Sequence, residues 1–206
     1  ARMTDYIERE LKLARDEANA LRAHYLRRYG ATLLGLVRHH GVSAAHFLHD
    51  THVLPQLESL LHGHPHDFAA LDRLPGRKVI LTNAPRAYAL RVLHALGAAR
   101  HFDAVLSIED MTMFGDLRPK PDARMLRAVA ARLRVHPSRC VLVEDTLQHQ
   151  KAAYSIGMAT AWMQRWTRRA QRKHAAHPPK VGVYLHRRPS YVCARIFSLR
   201  ELRRLL

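Results

Sequence analysis

The spacing of apolar positions divides the chain into a helical first third and an alternating remainder. Tyr6, Ile7, Leu11, Ala14, Ala18, Leu21, Tyr25 and Leu26 recur at three- and four-residue steps. That period predicts one long helix over residues 3–29, ended at Gly30, where glycine accepts a left-handed cap. Shorter helices are predicted over 32–40, stopped by Gly41, and from Ser43, a favourable N-cap, to about residue 50. Residues 54–75 carry Pro55, Gly63, Pro65 and Pro75 and keep no period, so they read as mixed structure. The pattern changes at Arg77. Lys78 to Thr82 is a short β-branched apolar run that predicts a buried strand. It is followed by Pro85 at a helix start, and Tyr88, Val92 and Leu96 then share one helix face that closes at Gly97. Further strands are predicted at 104–108, 140–143 and 159–163, with helices carrying Met125, Leu126, Val129 and Leu133 and over about 146–156 between them.

Strands alternating with helices of this length predict an α/β fold. Its core is a Rossmann-like parallel sheet with helices on both faces. The expected division is an all-helical cap over residues 1–75 and an α/β core over 76–206, whose tail from about 164 is basic. Within that tail a short strand is predicted near 181–185 and a terminal helix from Ser198.

Composition changes this picture in three ways. Nearly half of the 206 residues are apolar (48%), enough for a core. No apolar run approaches the roughly 20 residues that cross a bilayer, and no signal-peptide pattern opens the chain. With two cysteines, Cys140 and Cys193, and Cys140 inside an apolar run, the expectation is a cytoplasmic protein with a buried thiol and no disulfide. The net charge is +17, and residues 164–206 hold 12 Lys or Arg against one acid, Glu201. Such a field favours anionic partners, namely a small phosphorylated metabolite, nucleic acid or an acidic protein surface, and its plainer reading is a set of solvated basic faces. No zinc-finger, RNA-recognition or helix-turn-helix signature accompanies the charge.

Ligands of open parallel sheets bind at the carboxyl ends of the strands. Two predicted strand ends are polar, Thr82-Asn83 and Glu144-Asp145, and Lys120 sits between two prolines in a loop. Adjacent carboxylates repel unless a hard divalent cation neutralises them. A hydroxyl, an amide and an ammonium suit the oxygens of a phosphoryl group. Metal, lysine and donors together are the requirements of phosphoryl transfer. Each part has a plainer reading: a helix cap, an acidic first turn, a solvated lysine. Their order on alternating strands is what makes the set specific. The run His62-Gly63-His64-Pro65-His66-Asp67 lacks the helical spacing of a zinc site and reads as a surface loop. Trp162 and Trp166 read as packing residues.

The runs VILTNAPRAYALRVLHALG, RPKPDARMLRAV and VLVEDTLQHQKAAYSIGMATAWM resemble the second, third and fourth motifs of the haloacid dehalogenase-like phosphatases over roughly residues 77–163. FDAVLSIEDM and RPSYVCARIFSL look like the pyrimidine 5′-nucleotidase branch of that superfamily. The resemblance implies an Mg²⁺-dependent phosphomonoester hydrolase of nucleoside monophosphates. Thr82 would bond the transferring phosphoryl group with Asn83 beside it, and Lys120 would stabilise the phosphoryl oxygens. Asp145 would bind Mg²⁺ directly, and Glu144 directly or through water. Residues 1–75 would be a cap that selects substrate, with Asp50 and His52 as candidate substrate contacts. The family's first motif, an Asp-x-Asp-x-Thr-like run carrying the nucleophile, is absent from the sequence. Asp5 and Asp16 lie in a helical pattern and do not replace it. The expectation is that the sequence starts inside the cap, after that motif, and that these residues without it are inactive. Where some relatives carry a further acid after the fourth motif, this sequence has His149 and Gln150. The alternatives are a truncated protein without catalysis and a basic binder of nucleic acid or other anions.

Overall fold

The computed structural model describes residues 2–165 and 188–204. Its contacts divide the chain into two compact units. One comprises residues 1–63 and 76–120, the other residues 64–75 and 121–206.

The first unit opens with four helices: α1 (Arg2–Leu11), α2 (Arg15–Tyr29), α3 (Thr32–His40) and α4 (Ala44–His52). The single helix expected over 3–29 is therefore two. Lys12 adopts φ +52° and turns the chain back, so that α1 packs on α2. A left-handed non-glycine residue costs about 1 kcal/mol or more. Contacts on both sides of the turn offset this cost: Tyr6 and Ile7 of α1 join Ala18 and Tyr25 of α2 in one buried cluster, and Arg15 bridges Asp5 and Glu8 at 3.0 and 2.9 Å. The apolar period runs through the break because no Gly or Pro marks it. Gly30 and Gly41 cap α2 and α3 in the left-handed conformation as expected, and the Ser43 hydroxyl accepts the His46 N–H at the start of α4. Gly35 is fixed by packing, since a Cβ there would lie 2.1 Å from the Tyr25 ring.

The next helix in chain order, α5 (Pro65–Arg73), belongs to the second unit. A two-stranded parallel sheet completes the first. β1 (Val79–Leu81) pairs with β2 (Ala104–Leu106), and α6 (Arg86–Ala95) connects them. A hairpin then stands where a loop was expected: β3 (Thr112–Met113) and β4 (Asp116–Leu117), turned by Phe114 and Gly115 at φ +55° and +83°. Two left-handed residues are what a tight type I′ hairpin requires.

In the second unit, α5 forms within the stretch 54–75, where proline and glycine mask any helical period. Pro65 sits in its first turn, where proline costs no hydrogen bond. The unit continues with α7 (Ala123–Arg132), capped by the Asp122 carboxylate, and with β5 (Val141–Glu144), α8 (Leu147–Tyr154), β6 (Ala159–Met163) and β7 (Ala194–Ile196). β5, β6 and β7 form a parallel sheet in that order. A 3₁₀ helix, Leu199–Arg204, stands where a terminal helix was expected. The strand expected near 181–185 and the packing of Trp166 lie outside the described residues; Trp162 is buried.

β1 and β5 were expected to be buried strands, yet their residues are mostly half-buried and Val143 is exposed. Among the described residues each pairs on one flank only, so each is an edge strand. Cys140, just before β5, is correspondingly half-buried rather than buried. No helix among the described residues is long and apolar enough to cross a membrane.

Candidate active site

In the first unit the carboxyl end of β1 carries Thr82 and Asn83. The Thr82 N–H continues the ladder by donating to the Leu106 carbonyl at 2.9 Å. The Thr82 hydroxyl oxygen accepts the Ala84 N–H at 3.1 Å, so its own proton remains to be donated elsewhere. Asn83 reaches the loop after β4: its Nδ2 donates to the Lys120 carbonyl at 3.0 Å, and its Oδ1 accepts the Lys120 N–H at 2.9 Å. Lys120 is 8% exposed. Asn83, next to Thr82, and Lys120, distant in sequence, are thus brought together.

A clamp that sequence reasoning missed holds the same strand ends. The Arg86 N–H donates to both carboxylate oxygens of Glu109, at 3.0 and 3.1 Å, and its guanidinium donates to the Val105 carbonyl at 3.0 Å and pairs with Asp110. Asp110 also accepts the Ser107 N–H and hydroxyl, at 2.9 and 3.1 Å. Burial raises the Glu109 pKa, and the local hydrogen bonds and Arg86 outweigh it, so the carboxyl titrates below its ordinary value.

The two cap residues singled out for substrate part company. Asp50 pairs with Arg9 of α1, whose hydrogen bond is the main cause of its lowered pKa, and it stands 3.5 Å from His49 Nδ1. It joins α4 to α1. His52 instead places its ring edge-on to Tyr88 of α6, with centroids 5.1 Å apart, and burial lowers its pKa.

In the second unit Glu144 ends β5 and Asp145 follows. Glu144 Oε1 accepts the N–H groups of Asp145 and Thr146 at 3.2 and 3.4 Å, at the start of α8. Glu144 Oε2 lies 3.1 Å from His149 Nδ1, and both side chains are nearly buried, 11% and 10% exposed. Glu144 is thus turned inward, while Asp145 stands exposed at the strand end. Enough chain still surrounds the Asp145 carboxyl for desolvation to raise its pKa, and the neighbouring Glu144 raises it further against the hydrogen bond from the Thr146 hydroxyl. Burial and a like-charged neighbour both penalise the ionised form of Asp145, and a nearby cation would favour it. Glu144 and Asp145 are the carboxylates at this strand end that could hold a hard divalent cation.

Two further residues fix this strand end. Gln150 Nε2 donates to the carbonyls of Glu144 and Ala161 at 2.7 and 2.8 Å, tying β5 to β6. The Trp162 indole N–H donates to the Asp145 carbonyl at 2.9 Å. Trp162 packs as expected and also anchors the site; its position level with Glu144 across the sheet, fixed by strand register, is the signal for that second role.

Comparison with known proteins agrees with this architecture. A family model described as haloacid dehalogenase-like hydrolase matches residues 8–157. Among solved structures the chain is similar to a HAD phosphatase from Thermococcus onnurineus, with 22% identity over 98% of this chain and 86% of that one and a TM-score of 0.58. It is also similar to CbbY from Rhodobacter sphaeroides in complex with phosphate (17%, 98% and 87%, TM-score 0.59). A third is L-2-haloacid dehalogenase from Xanthobacter autotrophicus with chloropropionic acid covalently bound (18%, 98% and 91%, TM-score 0.58). At these identities the structures speak for the fold. The family match spans well over half of the sequence, and the chain belongs to the haloacid dehalogenase-like hydrolases.

Proposed function

We propose that this hydrolase is an Mg²⁺-dependent phosphatase of pyrimidine nucleoside 5′-monophosphates, acting in the cytoplasm. The observation that carries the reading is the Glu144–Asp145 pair, whose charge favours a bound cation. Thr82 and Lys120 carry a hydroxyl donor and an ammonium suited to phosphoryl oxygens. Mg²⁺ would neutralise phosphoryl charge as a Lewis acid. An aspartyl-phosphate route needs an attacking aspartate, and no Asp-x-Asp-x-Thr-like run occurs in these 206 residues. The pyrimidine preference rests on the sequence resemblance, and His52 beside Tyr88 offers an aromatic contact for a base.

Dehalogenation is the second reading, prompted by the similar structure that carries chloropropionic acid. The acid pair argues against it, because two carboxylates repel a carboxylate substrate when no cation stands between them. The test is turnover by these residues joined to an N-terminal segment that carries an Asp-x-Asp-x-Thr run. The expected result is Mg²⁺-dependent release of phosphate from UMP or CMP and none from residues 1–206 without that segment. Chloride release from 2-chloropropionate with UMP untouched would overturn the proposal.

A further inference from the structure

Lys120 lies between Pro119 and Pro121, so its N–H is the one backbone donor among those three residues. Arg118 and Lys120 each precede a proline and are confined to extended conformations. The Arg118 N–H donates to the Met111 carbonyl at 2.7 Å, which anchors the near side of the loop. The Lys120 peptide is anchored by Asn83, through the two reciprocal bonds of 2.9 and 3.0 Å. A carboxamide that accepts from the N–H and donates to the C=O of one residue imitates a neighbouring strand. Here it fastens Lys120 to the end of β1, directly beside Thr82.

We propose that Asn83 is a positioning residue: it acts on phosphate through Lys120 by fixing the backbone from which the ammonium extends. The inference rests on the reading of Lys120 as a phosphoryl-binding group and names what holds that group in place. Asparagine suits the task because its amide matches a peptide in both directions. Aspartate would set a carboxylate oxygen against the Lys120 carbonyl, and serine cannot pair with both groups.

A double-mutant cycle separates this role from direct contact. Inorganic phosphate is titrated calorimetrically, with Mg²⁺ present, into the 206-residue chain and its Asn83→Ala, Lys120→Met and doubly substituted forms. Each single substitution is expected to weaken binding on the order of tenfold, and the double form should bind no worse than Lys120→Met. Additive losses, or undiminished binding by Asn83→Ala, would overturn the proposal. A second readout needs no phosphate: acetylation of the Lys120 amine by acetic anhydride, followed by mass spectrometry. Lys120 should react several-fold faster in Asn83→Ala while Lys12 and Lys78 keep their rates, and an unchanged Lys120 rate contradicts positioning. Should Lys120→Met bind phosphate like the wild type, the phosphatase reading fails and the acetylation rates alone decide the role of Asn83. Asn83→Ser replaces the alanine form, with the same expectations, if the latter does not fold.

Discussion

Asp145→Asn is expected to abolish the stabilisation of the 206-residue chain by Mg²⁺ without lowering its metal-free melting temperature. A ligand that binds only the folded state stabilises it by about 2.7 kcal/mol at a hundred times its dissociation constant. For a chain of this size that raises the melting temperature by roughly 5–10 °C. Burial and the adjacent Glu144 carboxylate both penalise the ionised Asp145. Asparagine removes that penalty and removes the cation's main anchor, while the Trp162 indole keeps its bond to the main-chain carbonyl. The variant should therefore melt at or slightly above the metal-free wild type and ignore added Mg²⁺. Thermal melts with and without the metal check this, and a variant that kept the wild-type shift would remove Asp145 from the metal site.

The second large effect concerns the fold. Asp67→Ala is expected to destabilise the chain by about 3 kcal/mol, the scale of a broken buried ion pair, and to lower the melting temperature by roughly 6–12 °C. The Asp67 carboxylate, 14% exposed, pairs with both terminal nitrogens of Arg165 and accepts the Ser198 hydroxyl and the Leu199 N–H, each at 3.1 Å. One side chain of α5 thereby holds the end of β6 and the 3₁₀ segment after β7. Burial pushes its pKa up, and the bonds from Arg165, Leu199 and Ser198 outweigh burial, leaving it below the ordinary 3.8. A carboxyl depressed by folding contributes stability above its unfolded pKa and loses it as pH falls through the folded value. The advantage of wild type over Asp67→Asn should hold at neutral pH, begin to shrink near pH 4, and vanish at still lower pH. Denaturant melts across that range decide it, and a difference independent of pH would show that the charge of Asp67 is not what stabilises this joint.

The sequence is most legible where backbone chemistry is local. Gly30, Gly41 and Ser43 end and begin helices where expected, and the fourth predicted strand coincides with β6. It is least legible where a residue acts against its type. Lys12 turns left-handed with no glycine to announce it, and Phe114 does the same at a hairpin tip where it is 98% exposed. Burial of β1 and β5 is overestimated from sequence because composition tells how apolar a strand is and not how many flanks it pairs on. In the candidate site, Thr82, Lys120, Glu144 and Asp145 are readable as chemical types at strand ends. The Arg86 clamp and the pairing of Asn83 with Lys120 depend on groups meeting across 19 to 37 residues, and the Gln150 bridge on how β5 and β6 pair, none of which spacing encodes. The Asp50–Arg9 pair, which joins α4 to α1, is likewise invisible to spacing.

The central proposal is that this chain binds phosphate and Mg²⁺ as coupled ligands. The direct measurement is calorimetric affinity of the 206-residue chain for inorganic phosphate with and without Mg²⁺. The account predicts that Mg²⁺ tightens phosphate about tenfold or more, and that phosphate tightens Mg²⁺ by the same factor, as linkage demands. Equal phosphate affinity in the presence and absence of Mg²⁺ would contradict it.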